Sequence, residues 1–181
     1  MADRGRVTQL RSPPAAKPTA PRLGSIQQLY GRPGFMLRRA HQIAVSIFLE
    51  ATAAEGVTTT SQFGLMLILR ARPNIDQITL AKLLGLDRST TGLVVSKLEE
   101  AGMLVRRPGT NDRRRKELRL TNRGLQMLSK LEASGRRVED EVLSPFTRTE
   151  RKEFLRLLEK FVNTHNAHVR IPMSPLDGVH D

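Results

Sequence analysis

The chain has 181 residues, with 30 Lys+Arg against 18 Asp+Glu and a formal net charge of +12. That length holds one domain with a proper core, or one compact domain plus an arm, and the charge makes a polyanion the first partner to consider. Cys and Trp are absent and there are one Tyr and six Phe, which excludes a disulfide scaffold, a thiolate metal site and a thiol nucleophile or redox sensor, and favours duplex over unpaired nucleic acid. No apolar run approaches the ~18 residues of a membrane span, and no apolar signal-peptide core opens the chain. The expected class is a soluble, cytoplasmic, basic protein with no membrane partner.

The charge is unevenly distributed. Residues 1–24 carry a net +4, residues 25–105 +2, residues 106–123 +6 and residues 124–181 zero. Half of the excess therefore lies in one stretch of eighteen residues, which marks a binding element rather than general solubility. Arg outnumbers Lys by 23 to 7; the planar guanidinium suits phosphate and guanine edges, but genome composition produces the same bias.

In chain order, the first segment mixes Pro, Ala, Gly, Ser and Arg with almost nothing to bury, and is read as a disordered basic arm over 1–27. From Gly34 to about Ala54 the pattern is helical but apolar around much of its circumference, which calls for a partner chain. Thr59 with Gln62 makes a capping box for a second helix that stops before Pro73. A short third helix starts near Asp76, with Ile78, Ala81 and Leu84 inward and Gly85 as terminator. Asp87 caps a fourth, whose inner stripe is Thr91, Val94, Leu98 and Ala101 with Val95 at its margin; Arg88, Ser89, Gly92, Leu93 and Ser96 lie off that stripe.

Two short strands follow, Met103-Leu104-Val105 and Lys116–Leu120, joined through the turn residues Gly109 and Asn111-Asp112 into a basic β-hairpin. Thr121 caps a long helix through Leu125, Leu128, Leu131, Val138 and Val142. Thr147 with Glu150 forms another capping box, for a last helix bearing Phe154, Leu157, Leu158, Phe161 and Val162. Residues 171–181 read as a flexible tail. Met36, Met66, Met103 and Met127 sit at helical or core spacing and need no special role. His165 and His168 stand at i, i+3 without a third ligand nearby, which fits a helix-terminus role better than a metal.

Two helices joined by Gly85-Leu86-Asp87 and followed by a basic hairpin have the order of a winged helix-turn-helix. The expected fold is mainly α with a small β-hairpin wing. It divides into a helical dimerisation region (28–58 and 145–170) and a winged helix-turn-helix (59–144). No phosphate-binding Gly loop, Ser-centred elbow or acid–base pair supports an enzyme, and no cofactor is called for.

The chain resembles the MarR family of dimeric bacterial transcription regulators over about residues 30–168. The resemblance is carried by Leu80-Ala81, Leu84-Gly85-Leu86 and Asp87-Arg88-Ser89-Thr90. It continues through Val95, Lys97-Leu98-Glu99, Ala101–Arg106, Asn111–Arg115 and Leu120–Gly124. It implies a homodimer with a recognition helix in each of two major grooves of a pseudo-palindromic duplex operator, with half-sites about 34–36 Å apart. By this resemblance Arg88, Ser89 and Thr90 touch phosphates or bases, and Arg113 or Arg114 enters the minor groove with Asp112 holding the guanidinium. Arg115 and Lys116 then meet phosphate. Many members carry a Thr-Arg pair where this chain has Gly92-Leu93. Either the position tolerates drift, or Gly92 permits close approach while Leu93 packs on a thymine methyl; Ser96 completes that face.

The family further implies a small-molecule effector, often an aromatic acid or phenolic compound, bound between the dimer helices and the winged module. The candidates are Phe35, Arg38, Arg39, His41 and Phe48 on the first helix, with Phe63 and Met66 on the second. Taken singly, Arg38 and Arg39 read as solvated and His41 as a satisfied interface histidine. The rival to the regulator is a non-specific architectural or RNA-associated protein using the arm and the Arg cluster.

Overall fold

The computed structural model describes residues 26–55, 59–109 and 116–173. The arm up to residue 25, residues 56–58, the wing tip 110–115 and the tail from 174 lie outside the described residues. The chain divides into two units, residues 1–39 and 40–181. The first holds helix α1 (Ile26–Tyr30) and the opening residues of α2 (Pro33–Ala51), so the arm drawn to residue 27 gives way to a helix two residues earlier. Within this unit the Tyr30 and Phe35 rings lie 5.3 Å apart, and the Arg38 guanidinium stands 4.8 Å from the centre of the Phe35 ring.

In the second unit, the remainder of α2 buries Phe48 and runs on to a 3-10 turn, Ala53–Glu55. The Thr59 hydroxyl accepts from the Gln62 amide and opens α3 (Thr60–Ala71). Asn74, at φ 65°, turns the chain into β1 (Ile75–Asp76). Asp76 then caps α4 (Gln77–Leu84) by accepting from the Ile78 and Thr79 amides. Gly85 ends α4 at φ 62°, a left-handed conformation that costs glycine little. Next come α5 (Arg88–Glu100), β2 (Leu104–Pro108), β3 (Lys116–Leu120), α6 (Asn122–Leu143) and α7 (Arg148–His165).

The wing is more than a hairpin. Its antiparallel sheet has three strands in the order β1-β3-β2, with Ile75 opposite Leu118 and Leu104 opposite Leu120. The short β1 fastens the entry to α4 onto the wing, and the Asn74 amide adds a bond to the Leu118 carbonyl. The core fills the space between helices and sheet: Leu65, Met66 and Leu69 of α3, Leu80 of α4, Val95 and Leu98 of α5, Leu104 and Leu118 of the sheet, and Leu128 and Leu131 of α6.

Three expectations need correcting. Ile78 is 50% exposed, because Leu80, Ala81 and Leu83 define the inner face of α4 and Ile78 lies roughly opposite them at 100° per residue. Leu125 is 40% exposed, since Gly124, Leu128, Leu131 and Ser134 form the buried stripe of α6. The tail is not free from residue 171: Met173 is hydrogen-bonded back to Asn166. The capping box at Thr147 and Glu150 is complete, and their mutual hydrogen bonds hold the Glu150 carboxyl below its ordinary pKa. Yet α7 buries none of its residues and exposes Leu155, Leu157, Leu158, Phe161 and Val162. No helix among the described residues is long and apolar enough to cross a membrane.

Candidate nucleic-acid interface

The second helix of the helix-turn-helix is α5, the candidate recognition helix, and its inner face is a run of apolar and small residues. Thr91, Val95 and Leu98 are essentially inaccessible and Val94 nearly so, which fixes the opposite face outward. The helix is started by Asp87, whose carboxylate accepts from the Thr90 amide at 2.7 Å and the Thr90 hydroxyl at 2.8 Å. These bonds hold the Asp87 carboxyl below its usual pKa, so the cap is ionised at neutral pH. Thr90 therefore serves the cap with both its amide and its hydroxyl proton. Arg88, Ser89 and Leu93 are exposed, Leu93 at 64%.

Gly92 and Ser96 lie between the exposed and buried faces of α5, where the supporting side chains meet the helix. A Cβ on Gly92 would come within 3.2 Å of the Gln77 carboxamide nitrogen, so the glycine leaves room for the first residue of α4. Ser96 accepts from Arg106 Nη2 at 3.1 Å. Arg106 also donates from Nε to Glu99 at 2.9 Å and from Nη1 to Gln77 at 3.4 Å. One guanidinium thus ties α5, the start of α4 and the wing strand β2 together. Its planar fork can serve three acceptors at fixed angles, which a lysine cannot do.

Sequence reasoning counted Arg106 in the basic stretch without giving it this position. The signal was available in the period-two alternation of β2, which puts Arg106 on the same side as the buried Leu104. Beside the network a shallow groove is lined by Asp76, Gln77, Ile78, Thr79, Arg106 and Lys116. Lys116 is exposed there at the start of β3. Arg113, Arg114 and Arg115, with Asp112, lie outside the described residues.

Gly92→Ala tests the account of that glycine. The substitution relieves the helix of roughly 1 kcal/mol of backbone cost. Its close neighbour among the described residues is the end of the Gln77 side chain, which Arg106 holds by one long 3.4 Å bond. A rise in stability of up to ~1 kcal/mol in urea unfolding is expected. A clear loss would mean that Gln77 cannot yield.

The ligand candidates divide between the two units. Phe35 and Arg38 pair locally in the first, which also contains Arg39. In the second, His41 is exposed, the buried Phe48 has its ring 5.7 Å from that of Phe63, and Met66 is wholly inside the core. Close to these, Glu55 accepts from the Ser134 hydroxyl at 2.8 Å, and Arg137 donates to the same hydroxyl oxygen at 2.8 Å. The other Glu55 carboxylate oxygen is buried with no hydrogen-bond partner among the described residues. A cleft of about 370 Å³ opens between α2 and α6, lined by Ile47, Glu50, Ala51, Arg137 and Glu141. No spacing in the sequence announced Glu55, Ser134 or Arg137 as neighbours, because the α2 end and the middle of α6 meet only through tertiary packing.

The chain is similar in sequence and fold to known proteins. A model of the MarR family matches residues 58–116. The chain is similar to the "Putative transcriptional regulatory protein for hcr operon" of Thauera aromatica, with 34% identity over 131 residues, 72% of this chain and 78% of that protein. It is also similar to the PcaV transcriptional regulator of Streptomyces coelicolor in complex with its natural ligand, at 31% identity and a TM-score of 0.66 over 75% of this chain and 94% of that one. The transcriptional repressor CouR bound to a 23-mer DNA duplex is similar at 29% identity, with a TM-score of 0.70 over 76% of this chain and 97% of that one.

Proposed function

The chain belongs to the MarR family of transcriptional regulators that bind DNA, and from that premise we propose that it works as a homodimeric, sequence-specific repressor released from its operator by a small ligand. The observation that carries this reading is the presentation of α5. The helix is capped by Asp87, braced from behind by Arg106, and offers Arg88, Ser89 and Leu93 to the outside. Its outward surface is small and apolar around Ser89 and Leu93, with Arg88 at its start and Lys97 and Glu100 exposed toward its end. Such a mix of side chains can meet base edges and methyl groups in a major groove. Thr90, Gly92 and Ser96 shape that surface. Arg113 or Arg114 enters the minor groove beside it, and Arg115 and Lys116 meet phosphate.

The dimer is supported by the apolar residues that α7 leaves exposed, a surface that water does not favour on a lone helix. The ligand is a small aromatic or phenolic compound, either a carboxylate or its coenzyme A thioester. A cation beside aromatic rings suits such a molecule, as Arg38 stands over Phe35. Within the second unit, Arg137 in the cleft lined by Ile47, Glu50 and Ala51 is a separate candidate cation.

Competition binding tests the reading. A palindromic site near the protein's own promoter should be preferred over random duplex by ~10³-fold or more. Affinity should fall with salt at a slope of roughly −0.9 per phosphate contacted. Aromatic carboxylates, phenols and their thioesters, added to the complex, should release the operator. Equal affinity for random duplex, or a preference for structured RNA, would favour the architectural alternative. A flat salt dependence would remove the electrostatic account.

A further inference from the structure

Beyond α7 the chain makes a closed loop. After the 3-10 turn Asn166–His168, the Asn166 carboxamide brackets Met173. Asn166 Nδ2 donates to the Met173 carbonyl at 2.9 Å, and the Met173 amide donates to Asn166 Oδ1 at 2.9 Å. The loop rests on the turn of the helix-turn-helix. A Cβ on Gly85 would stand 2.6 Å from Met173 Cγ and 3.7 Å from the Ile171 carbonyl oxygen. Gly85 is therefore demanded twice, by its φ of 62° and by the methionine that lies against it.

Arg170 is exposed on this loop, one residue before the segment that covers Gly85. The turn it approaches leads directly into Asp87 and the amino end of α5. The Asp87 carboxyl, depressed chiefly by the Thr90 amide and hydroxyl, also responds to the Arg170 charge. Residues 124–181 are neutral overall, so a cation delivered to this place is not part of a general basic surface.

We propose that Arg170 is a DNA-binding residue outside the winged module, contacting a backbone phosphate beside the amino end of α5, with Asn166 and Met173 positioning it. This rests on the DNA-binding reading of α5. In a helix-turn-helix complex the amino end of the recognition helix lies at the duplex, where phosphates are the available anions. Arginine's planar fork fits a phosphate bidentately. The Asn166 bridge holds the loop before DNA arrives, so less ordering is required on binding.

The test is a salt titration of operator and random duplex with the wild-type dimer, Arg170→Ala, Arg170→Lys and Asn166→Ala. Arg170→Ala should weaken binding to both duplexes by roughly three- to tenfold at low salt. It should also make the log–log salt slope shallower by about 0.9. Arg170→Lys should restore most of the slope, and Asn166→Ala should reproduce part of the loss with the dimer intact. An Arg170→Ala protein with wild-type slope and affinity overturns the proposal, and so does one that binds more tightly. Wild-type affinity in Asn166→Ala, beside a weakened Arg170→Ala, overturns the positioning role. Failure of the wild type to prefer its operator is a different outcome: it removes the repressor reading, while the Arg170 contact is still read on random duplex.

Discussion

Leu158→Glu is expected to leave a folded monomer that binds the operator at least about 100-fold more weakly than the wild type. Leu158 lies on α7 with Leu155, Leu157, Phe161 and Val162, all exposed, and no residue of that helix is buried. Glutamate is a good helix former, so the substitution leaves α7 itself little changed. The core lies elsewhere, in α3, α4, α5, α6 and the wing, and should keep its melting behaviour. What changes is the interface, where a carboxylate would have to be buried unpaired between two copies. Without the dimer, the second half-site no longer binds at the high local concentration that linkage provides. Sedimentation and operator titration read the two effects together. A Leu158→Glu protein that stays dimeric and binds normally would show that α7 is not the interface.

Gly124→Ala should cost about 3 kcal/mol or more of stability, the upper range for inserting atoms into a packed site. A Cβ at this position would overlap the Met103 carbonyl oxygen, stand 3.1 Å from the carbon of that carbonyl and 3.4 Å from a Leu120 methyl. The obstacle is backbone, and it is pinned. The Thr121 amide donates to the same Met103 carbonyl at 3.0 Å, and the Thr121 hydroxyl donates to the Gly102 carbonyl at 2.7 Å. Retreat of α6 would break both bonds. Gly135, on the same helix, is the control: its Cβ would meet only the Phe63 ring at 3.7 Å. Gly135→Ala should be neutral or stabilising by up to ~1 kcal/mol. Equal urea midpoints for the two variants would contradict this account of Gly124.

Much of this architecture was legible because its punctuation is local. Thr59, Asp87, Thr121 and Thr147 each mark a helix start through a bond to an amide three residues on. Such a bond is written in the sequence at fixed spacing. The inner stripe of α5 was legible for the same reason. What escaped depended on partners distant in the chain. A strand as short as β1 has no period to detect, and exists because β3 offers it an edge. The exposure of Ile78 follows from which side of a short helix meets the core, which Ile78, Ala81 and Leu84 alone could not decide. Arg106 looked like one more charge in a basic stretch until Glu99, Ser96 and Gln77 surrounded it. At the candidate site, Arg88, Ser89 and Leu93 face outward as expected, whereas Thr90 and Ser96 also have structural duties. The loop over Gly85 was obscured by Pro172 and the lack of periodicity.

The junction at Thr121 also has a mechanical consequence. One hydroxyl donates to Gly102, just past the end of α5, and accepts from Gly124 in the first turn of α6. The joint between the two helices is therefore stiff, and α6, twenty-two residues long, acts as a lever some 33 Å in length. A rotation of about 5° of α5 and α6 together, about that joint, corresponds to about 3 Å at the far end of α6, by the same helical rise. Run in reverse, a displacement no wider than two atoms near Ser134 or beyond becomes a change in the aim of α5.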